Sequence, residues 1–326
     1  MNGTAVLALG GNALSREDQQ GTMEEQYANA LTMARSIHSL ISDGWRVVVV
    51  HGNGPQVGNL AIQQEGSAEL VPAQPLFALG AMTQGALGSL ISRALVETCG
   101  EEIRGAVAVV THVVVRGDDP AFENPTKPIG PFFTESEARS FENERGWTMV
   151  EDAGRGFRRV VASPRPIDIL EAAPIADLID DGYMVVAAGG GGIPVTRTDD
   201  GDVHGVEAVI DKDLAAERIA DAAGADALVL VTGVPAVRLD FGTEQERAVS
   251  ELDIEEARRH LADGQFPPGS MGPKIEAACA FVEGGDRVAA ITTPELVDAT
   301  LRPDAHDGER GTRITPKRDP VEVSRT

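Results

Sequence analysis

The chain has 326 residues, of which 42% are hydrophobic, and 51 acidic residues outweigh 28 basic ones to give a net charge of −23. Such an acidic chain repels nucleic acid and anionic membranes, which excludes both as expected partners. Its two cysteines are too few for a disulfide framework or a zinc site. The sequence shows no signal peptide and no apolar run of about 18 residues. We therefore expect a cytoplasmic protein. Arginine used in place of lysine, together with the spread of acids, is typical of adaptation to a very salty cytoplasm.

In the first part of the chain, two predicted strands run directly into glycines. Ala5–Leu9 is followed by Gly10, Gly11 and Asn12, and the strand Arg46–Val50 is followed by His51-Gly52-Asn53-Gly54. Bare glycine N–H groups after a strand can approach an anion closely, so these turns suggest a shared phosphate cradle, although a plain turn is also compatible with the first. The spacing fits neither the dinucleotide fingerprint nor a P-loop. His51 is either a general base or, as we expect, a structural residue at the strand end.

The middle of the chain departs from the alternation of strands and helices. A long helix rich in small residues is predicted from Leu76 to Val96, and a strand from Ala106 to Val115. Residues 117–166 then carry many charges, prolines and aromatic side chains. We therefore predict that 117–166 is an inserted, protruding subdomain that acts as a lid, with Trp147 packed inside it.

The later part of the chain returns to strands that end in glycine. Met184–Ala188 precedes four consecutive glycines, Gly189–Gly192, which we expect to approach a ligand closely because ordering them costs chain entropy. Cys279 is predicted to be a core residue of a helix. Gly311–Ile314 is predicted as an edge strand, and residues 315–326 as a mobile tail.

Lysine is rare in this chain, and its positions are informative. Of the four lysines, Lys127, Lys212 and Lys274 lie in the short motifs PTKP, DKD and GPK. A compact ammonium suits a phosphoryl group that must be met by a point charge. Asp211-Lys212-Asp213 lies at a predicted junction of a buried strand or turn with a helix, for which Asp213 is the expected N-cap.

These features favour phosphoryl transfer, with Mg²⁺ carried on the nucleotide phosphates. The reaction needs its two reacting groups held in line and the charge of the transferring group compensated. Glycine N–H groups and Lys127, Lys212 and Lys274 supply that compensation, and Asp211 can orient the lysines and keep them charged. No Ser-His-acid arrangement or cluster of metal ligands competes with this interpretation.

Seven segments of the chain, in order, resemble the carbamate kinases of the amino acid kinase superfamily over nearly the whole length. They are LALGGNAL at 7–14, HGNGPQVG at 51–58, DPAF and PTKPIGPF within 119–132, EDAGRGFRRVV at 151–161, AAGGGGIPV at 187–195, GVEAVIDKDLAA at 205–216 and GSMGPKIEAA at 269–278.

The resemblance implies one amino acid kinase domain over 1–326: an α/β fold, specifically a three-layer αβα sandwich with a central, mostly parallel sheet of about eight strands plus the small protruding subdomain. It implies a homodimer formed through the N-terminal half and reversible phosphoryl transfer between ATP and carbamate, which forms ATP in arginine fermentation. The implied site roles follow from the matching motifs. The phosphoryl group is cradled by Gly10, Gly11 and Asn12 and neutralised by Lys212 and Lys274, which Asp211 organises. Carbamate or carbamoyl phosphate is faced by Gly52 and Asn53 and reached by Lys127. Met271 lies by the nucleotide.

The sequence departs from the family pattern in two places, and two alternative functions remain. Ala162 stands where the family often has proline, and around the adenine a tyrosine or similar residue is expected near Arg238 and an asparagine at Asp240. A related kinase acting on acetylglutamate or on a nucleoside monophosphate is disfavoured because Leu7–Leu9 lacks the lysine typical of those enzymes. A non-catalytic nucleotide sensor would be expected to lose the charged site residues, which are present here.

Overall fold

The computed structural model describes residues 2–10, 13–16, 18–152, 154–302 and 311–316, and its centre is an eight-stranded sheet. Numbered along the chain, the strands of this sheet are β1 (Thr4–Leu9), β2 (Arg46–His51), β3 (Ala106–Ala108), β9 (Met184–Val186), β12 (Ala227–Val231), β15 (Glu251–Asp253), β16 (Val288–Thr292) and β17 (Thr312–Thr315). Their order is β15-β17-β16-β12-β1-β2-β9-β3. Every neighbouring pair is parallel except β16 and β17. The predicted mostly parallel sheet is confirmed.

Helices cover both faces of this sheet, and the strands are apolar on both sides for that reason. In β1, Ala5 and Leu7 enter one core, whereas Val6 and Ala8 enter the other. The first face packs on α1 (Met23–Ser42), α3 (Leu76–Cys99) and α9 (Val297–Thr300). The second packs on α5 (Ala172–Asp180), α6 (Lys212–Ala222), α7 (Ile254–Ala262) and α8 (Met271–Glu283). This is the predicted three-layer αβα sandwich.

Helix boundaries follow local sequence signals. Thr22 and Glu25 form a capping box at the start of α1. The buried stripe of this helix repeats at helical spacing through Ala30, Ala34 and Ile37. Within the described ranges, none of the helices combines the length and the apolar character needed to cross a membrane.

A second sheet beside the first corrects one sequence expectation. It contains β4 (His112–Val115), β8 (Pro166–Ile169), β10 (Ile193–Arg197) and β11 (Val203–Gly205) in the order β11-β10-β4-β8. Ala106–Val115 was predicted as one strand but forms two, β3 and β4, in different sheets. The break occurs at Thr111, whose N–H donates to Gln84 Oε1 and whose hydroxyl donates to the Val109 carbonyl. These bonds satisfy groups that a continuous strand would have paired with its neighbours.

The inserted segment forms its own small sheet over α2 (Gly54–Gly66). Strands β5 (Lys127–Phe133), β6 (Thr148–Glu151) and β7 (Phe157–Val161) pair in the antiparallel order β5-β7-β6, with α4 (Glu135–Arg145) beside them. Trp147 packs here as predicted, with its ring centre 5.0 Å from that of Phe141 and 4.3 Å from the Arg159 guanidinium. The action of 117–166 as a lid stays a prediction.

The last described strand was predicted correctly as a strand, but its edge position was wrong. β17 lies between β15 and β16, since the edge position is taken by β15 from earlier in the chain. The predicted tail at 315–326 falls outside the described residues except for Thr315, which belongs to β17, and Pro316. A two-stranded hairpin, β13 (Val237–Leu239) with β14 (Arg247–Val249), completes the fold.

Candidate active site

The carboxyl ends of four neighbouring parallel strands meet at one edge of the central sheet, where a cleft of about 800 Å³ opens. Its floor includes Gly10 after β1, Gly52 and Asn53 after β2, Gly190 after β9 and Gly233 after β12. This edge is where open α/β sheets bind ligands. The expected convergence of glycine turns is therefore found. Gly11 and Asn12 lie outside the described residues, so their phosphate-cradling role stays a prediction.

The three lysines singled out in the sequence all line this cleft, although they come from distant elements. Lys127 begins β5 in the inserted segment, Lys212 is the first residue of α6, and Lys274 lies in the first turn of α8. Among the described lining residues, six are basic and two are acidic: Arg16, Lys127, Arg155, Arg158, Lys212 and Lys274 against Asp211 and Asp213. The cleft is thus locally positive in a chain whose net charge is −23.

Asp213 joins two of these lysines through its two carboxylate oxygens. Lys212 Nζ lies 2.6 Å from Oδ1, and Lys274 Nζ lies 2.6 Å from Oδ2. Asp213 is only 3% exposed, so both ion pairs are largely shielded from water. A single buried carboxylate therefore fixes the spacing of two ammonium groups that would otherwise repel each other.

Asp211 has a different partner from the one expected. It was predicted to organise Lys212 and Lys274, but its Oδ2 accepts from Lys127 Nζ at 2.5 Å, and Asp213 contacts the other two lysines. Asp213 was also predicted as the N-cap, whereas Asp211 caps α6 and its Oδ1 accepts from the Asp213 N–H at 2.9 Å. The reason is the backbone: Asp211 is extended, as an N-cap must be, while Asp213 already lies in the first helical turn.

Burial and charge pull the pKa values of this cluster in opposite directions. Burial lowers the pKa of Lys212 to about 8, and the neighbouring Lys274 ammonium adds to that effect. Burial opposes ionisation of Asp213, but Lys212 and Lys274 outweigh it and lower the pKa of that carboxyl to about 2. Burial also acts to lower the pKa of Lys274, yet Asp213 and Asp211 outweigh it and the pKa is raised. Lys212 is thus the group whose charge is most easily lost near neutral pH.

His51 and Gly52 serve the fold at the end of β2. The His51 ring donates from Nδ1 to the Gly52 carbonyl at 3.0 Å, and burial lowers its pKa to about 4. His51 is absent from the described lining of the cleft, so the structural role holds and the general-base alternative has no support. The Gly52 N–H donates to the Leu9 carbonyl at 3.1 Å, which removes it from the donors available to an anion.

The four consecutive glycines approach the protein itself, where contact with a ligand was expected. A methyl group added at Gly189 would lie 2.2 Å from the His51 ring, and one at Gly190 would lie 2.1 Å from the Asn53 amide. Gly191 and Gly192 meet Ile210 and Val113 just as closely. Only Gly190 of the four also lines the described cleft.

Met271 is not brought into the cleft among the described lining residues. It begins α8 and packs against the core beneath, while Gly269 and Ser270 just before it do line the cleft. Its proximity to a nucleotide stays a prediction. Cys279 further along α8 is buried, as predicted, and burial raises the pKa of its thiol to about 11.

Sequence reasoning missed two arginines that reach the cleft from the inserted segment. Arg155 and Arg158 both line it, and Arg158 donates to the Gly130 carbonyl from Nη2 at 2.9 Å and from Nε at 3.2 Å. The arginine-rich run GRGFRR could have indicated these two arginines, because a chain this acidic needs local cations to hold an anionic ligand. The N-termini of α2, α6 and α8 also border the cleft through Gly54, Lys212 and Ser270 and add positive partial charge.

Comparison with known proteins assigns the chain to a family. The model of the amino acid kinase family matches residues 3–293. A carbamate kinase of Thermococcus kodakarensis is 43% identical over 95% of this chain and 98% of its own length. The solved structure of a Giardia lamblia carbamate kinase bound to citric acid is similar, with a TM-score of 0.89 and 37% identity; the match covers 97% of this chain and 100% of the Giardia chain. The structure of the Giardia lamblia enzyme bound to AMP-PNP has a TM-score of 0.85 and 38% identity, with 97% of this chain and 100% of the Giardia chain covered. The chain therefore belongs to the amino acid kinase family and, within it, to the carbamate kinases.

Proposed function

We propose that the chain catalyses reversible phosphoryl transfer between ATP and carbamate, giving ADP and carbamoyl phosphate. The observation that carries this proposal is the convergence of Lys127, Lys212 and Lys274 from three distant elements on one cleft. Phosphoryl transfer requires charge compensation and in-line placement, both of which such a cleft provides. Membership of the carbamate kinases supports carbamate as the acceptor, and the AMP-PNP complex of the Giardia enzyme supports ATP as the donor.

The contacts support the proposed roles of the lysines, and the matching motifs imply the others. In the direction of ATP synthesis, a β-phosphate oxygen of ADP attacks phosphorus, and the bond from phosphorus to the carbamate oxygen breaks. Lys212 and Lys274, bridged by Asp213, neutralise the transferring phosphoryl group, and Lys127 passes from Asp211 to the carbamoyl end of the ligand. Gly10, Gly11 and Asn12 cradle the phosphoryl group, Gly52 and Asn53 face carbamate, and Met271 lies by the nucleotide.

We propose that Mg²⁺ enters with the nucleotide, held by its phosphates and by water. Asp211 and Asp213 are both engaged with lysines. Within the described ranges, no group of three or more His, Cys, Asp or Glu side chains could hold a metal ion. The donor set therefore fits a metal delivered as part of the substrate.

The proposal extends to the oligomeric state, the lid and the cellular conditions in which the enzyme works. Exposed apolar side chains between residues 62 and 96, including Ile62, Leu70, Met82 and Val96, support a homodimer formed through the N-terminal half. The subdomain at 117–166 acts as a lid that carries Lys127. We infer that the enzyme works in a salty cytoplasm and forms ATP in arginine fermentation.

The test is ATP formation from ADP, Mg²⁺ and carbamoyl phosphate in molar KCl, with the wild type compared with Lys212→Ala. We expect robust synthesis that is lost in the variant, since one of the two ammonium groups on Asp213 is removed. A folded wild type that binds ADP but forms no ATP would overturn carbamate as the substrate.

A further inference from the structure

The side chain of Asn53 has one amide atom engaged by the protein and one left for a ligand. Asn53 follows β2, lines the cleft and is only 5% exposed. Its Nδ2 donates to Thr83 Oγ1 on α3 at 2.8 Å. No described residue donates a hydrogen bond to its Oδ1, and that atom is not among the described side-chain atoms that are both sealed from solvent and unpaired. Oδ1 is therefore an acceptor without a described protein donor, on a residue that lines the cleft.

Thr83 determines which way the Asn53 amide points. The Thr83 hydroxyl donates to the Gly80 carbonyl at 2.7 Å, so its oxygen has only lone pairs to offer Asn53. An amide nitrogen can meet those lone pairs and an amide oxygen cannot. Gly190 packs against the same amide, since a methyl group there would lie 2.1 Å from Nδ2 and 2.6 Å from Oδ1. The amide is therefore held with its nitrogen on Thr83, and Oδ1 is the amide atom left without a described protein donor.

An unpaired acceptor on a residue of the cleft that also holds the lysines can discriminate between acceptor substrates that differ by one group. Carbamate and carbamoyl phosphate carry an NH₂ group that donates hydrogen bonds. Acetate and acetyl phosphate carry a methyl group of similar size in its place and leave the acceptor unpaired. A buried polar group left unpaired typically lowers binding or rate by roughly tenfold to a hundredfold.

We propose that Thr83 is a positioning residue that fixes the Asn53 amide so that Oδ1 accepts an N–H of the carbamoyl group, and that this contact selects carbamoyl phosphate over acetyl phosphate. The inference rests on the proposed function and deepens it. The recognised part of the substrate is the carbamoyl N–H, and the residue that orients its partner is Thr83, which does not line the described cleft.

The experiment compares Thr83→Val, which keeps the shape and removes the acceptor oxygen, with Thr83→Ser, which keeps the oxygen. ATP formation from ADP is measured with carbamoyl phosphate and with acetyl phosphate, and the ratio of the two kcat/KM values is the readout. We expect the ratio to fall by about tenfold or more in Thr83→Val, mainly through carbamoyl phosphate, and to stay close to wild type in Thr83→Ser. In an Asn53→Ala background, Thr83→Val should change the ratio no further.

The ratio separates recognition from general damage, since a loosened fold lowers both activities together. An unchanged ratio in an active Thr83→Val enzyme would overturn the inference and leave the proposed function intact. An equal loss of the ratio in Thr83→Ser would also overturn it, because the hydroxyl would then not be the determinant. A folded wild type that makes no ATP from carbamoyl phosphate would overturn the proposed function itself and this inference with it.

Discussion

Lys127 Nζ lies 2.5 Å from Asp211 Oδ2, so an ion pair joins the inserted segment to the N-terminus of α6 across the cleft. Both side chains are mostly buried, with 28% and 11% of their surface exposed. Lys127 is therefore already held at the cleft by a carboxylate. In the role proposed for it, binding of the ligand requires the ammonium to change partners.

Replacing Lys127 should weaken the carbamoyl substrate selectively. In Lys127→Met we expect the KM for carbamoyl phosphate to rise by about tenfold to a hundredfold, because one hydrogen bond between charged groups is lost. ADP affinity should stay near wild type, since Lys127 is assigned to the carbamoyl end. Steady-state kinetics and calorimetric titration with ADP measure the two effects. Arg139→Met, an exposed change on α4 of the same subdomain, serves as the control; a matching loss of ADP affinity in Lys127→Met would contradict the assignment.

Asp213 and Asp211 should differ sharply when each is changed to asparagine. Asp213→Asn leaves two buried ammonium groups without their shared carboxylate, so we expect kcat to fall by about a hundredfold or more and the melting temperature to drop. Asp211→Asn keeps an oxygen to cap α6 and leaves the Asp213 pairs intact, so its effect on kcat should be much smaller. Equal losses of kcat in the two folded variants would argue against the central role of Asp213.

The lowered pKa of Lys212 predicts an alkaline limit on activity. Lys212 must be charged to meet the phosphoryl group, and in the free enzyme it loses that charge as the pH rises through about 8. We therefore expect kcat/KM for ATP formation to be at its plateau below that pH and to fall above it. The control is Lys212→Arg, whose guanidinium stays charged, so the alkaline decline of its kcat/KM should disappear whatever its absolute activity. A wild-type profile that is flat through pH 9 would contradict the assignment.

Two glycines on α2 should respond differently to the same substitution. A methyl group at Gly58 would lie 2.0 Å from the Gly130 Cα in the inserted segment, whereas one at Gly66 meets nothing within 4 Å. Gly58→Ala should thus push the segment away, lower the free energy of unfolding by about 1–3 kcal/mol and raise the KM for carbamoyl phosphate. Gly66→Ala should be nearly neutral. Urea unfolding and kinetics in KCl check both, and identical behaviour of the two variants would show that the segment does not rest on Gly58.

The net charge predicts that stability depends on salt. A chain of 326 residues at −23 repels itself, and screening by salt relieves that repulsion. We expect the free energy of unfolding to rise as KCl increases from 0.1 M to the molar range. Because protonation of carboxyls reduces the net charge, the salt dependence should shrink at mildly acidic pH. Thermal unfolding over a grid of KCl and pH measures it, and a melting temperature independent of KCl at neutral pH would refute the prediction.

Much of this architecture could be predicted from local patterns. Strands such as Ala5–Leu9 are apolar throughout because helices cover both faces of the sheet, and that run is visible in the sequence. The rarity of lysine marked Lys127, Lys212 and Lys274 before their proximity was known.

Other features depend on contacts that local sequence does not encode. An acid stands on each side of Lys212, and propensity alone cannot decide which one caps α6 and which one reaches across to α8. The segment Ala106–Val115 is suitable for a strand throughout, so its division between two sheets depends on Gln84, which is distant in sequence. The glycines at 189–192 were expected to allow close approach to a ligand; they allow close approach of the protein itself, and contact of Gly190 with a ligand stays a prediction.

The packing of Gly189–Gly192 limits how the substrate preference of this enzyme could be changed. Gly190, which lines the cleft, and the three glycines beside it each face a neighbour with no room for a methyl group, so this stretch offers no side chain that can be varied. A laboratory selection for a new acceptor substrate would gain nothing by randomising it. An adjustable position lies one contact further out: Thr83 on α3 accepts from the Asn53 amide that Gly190 packs against, and a library aimed at altered specificity should begin there.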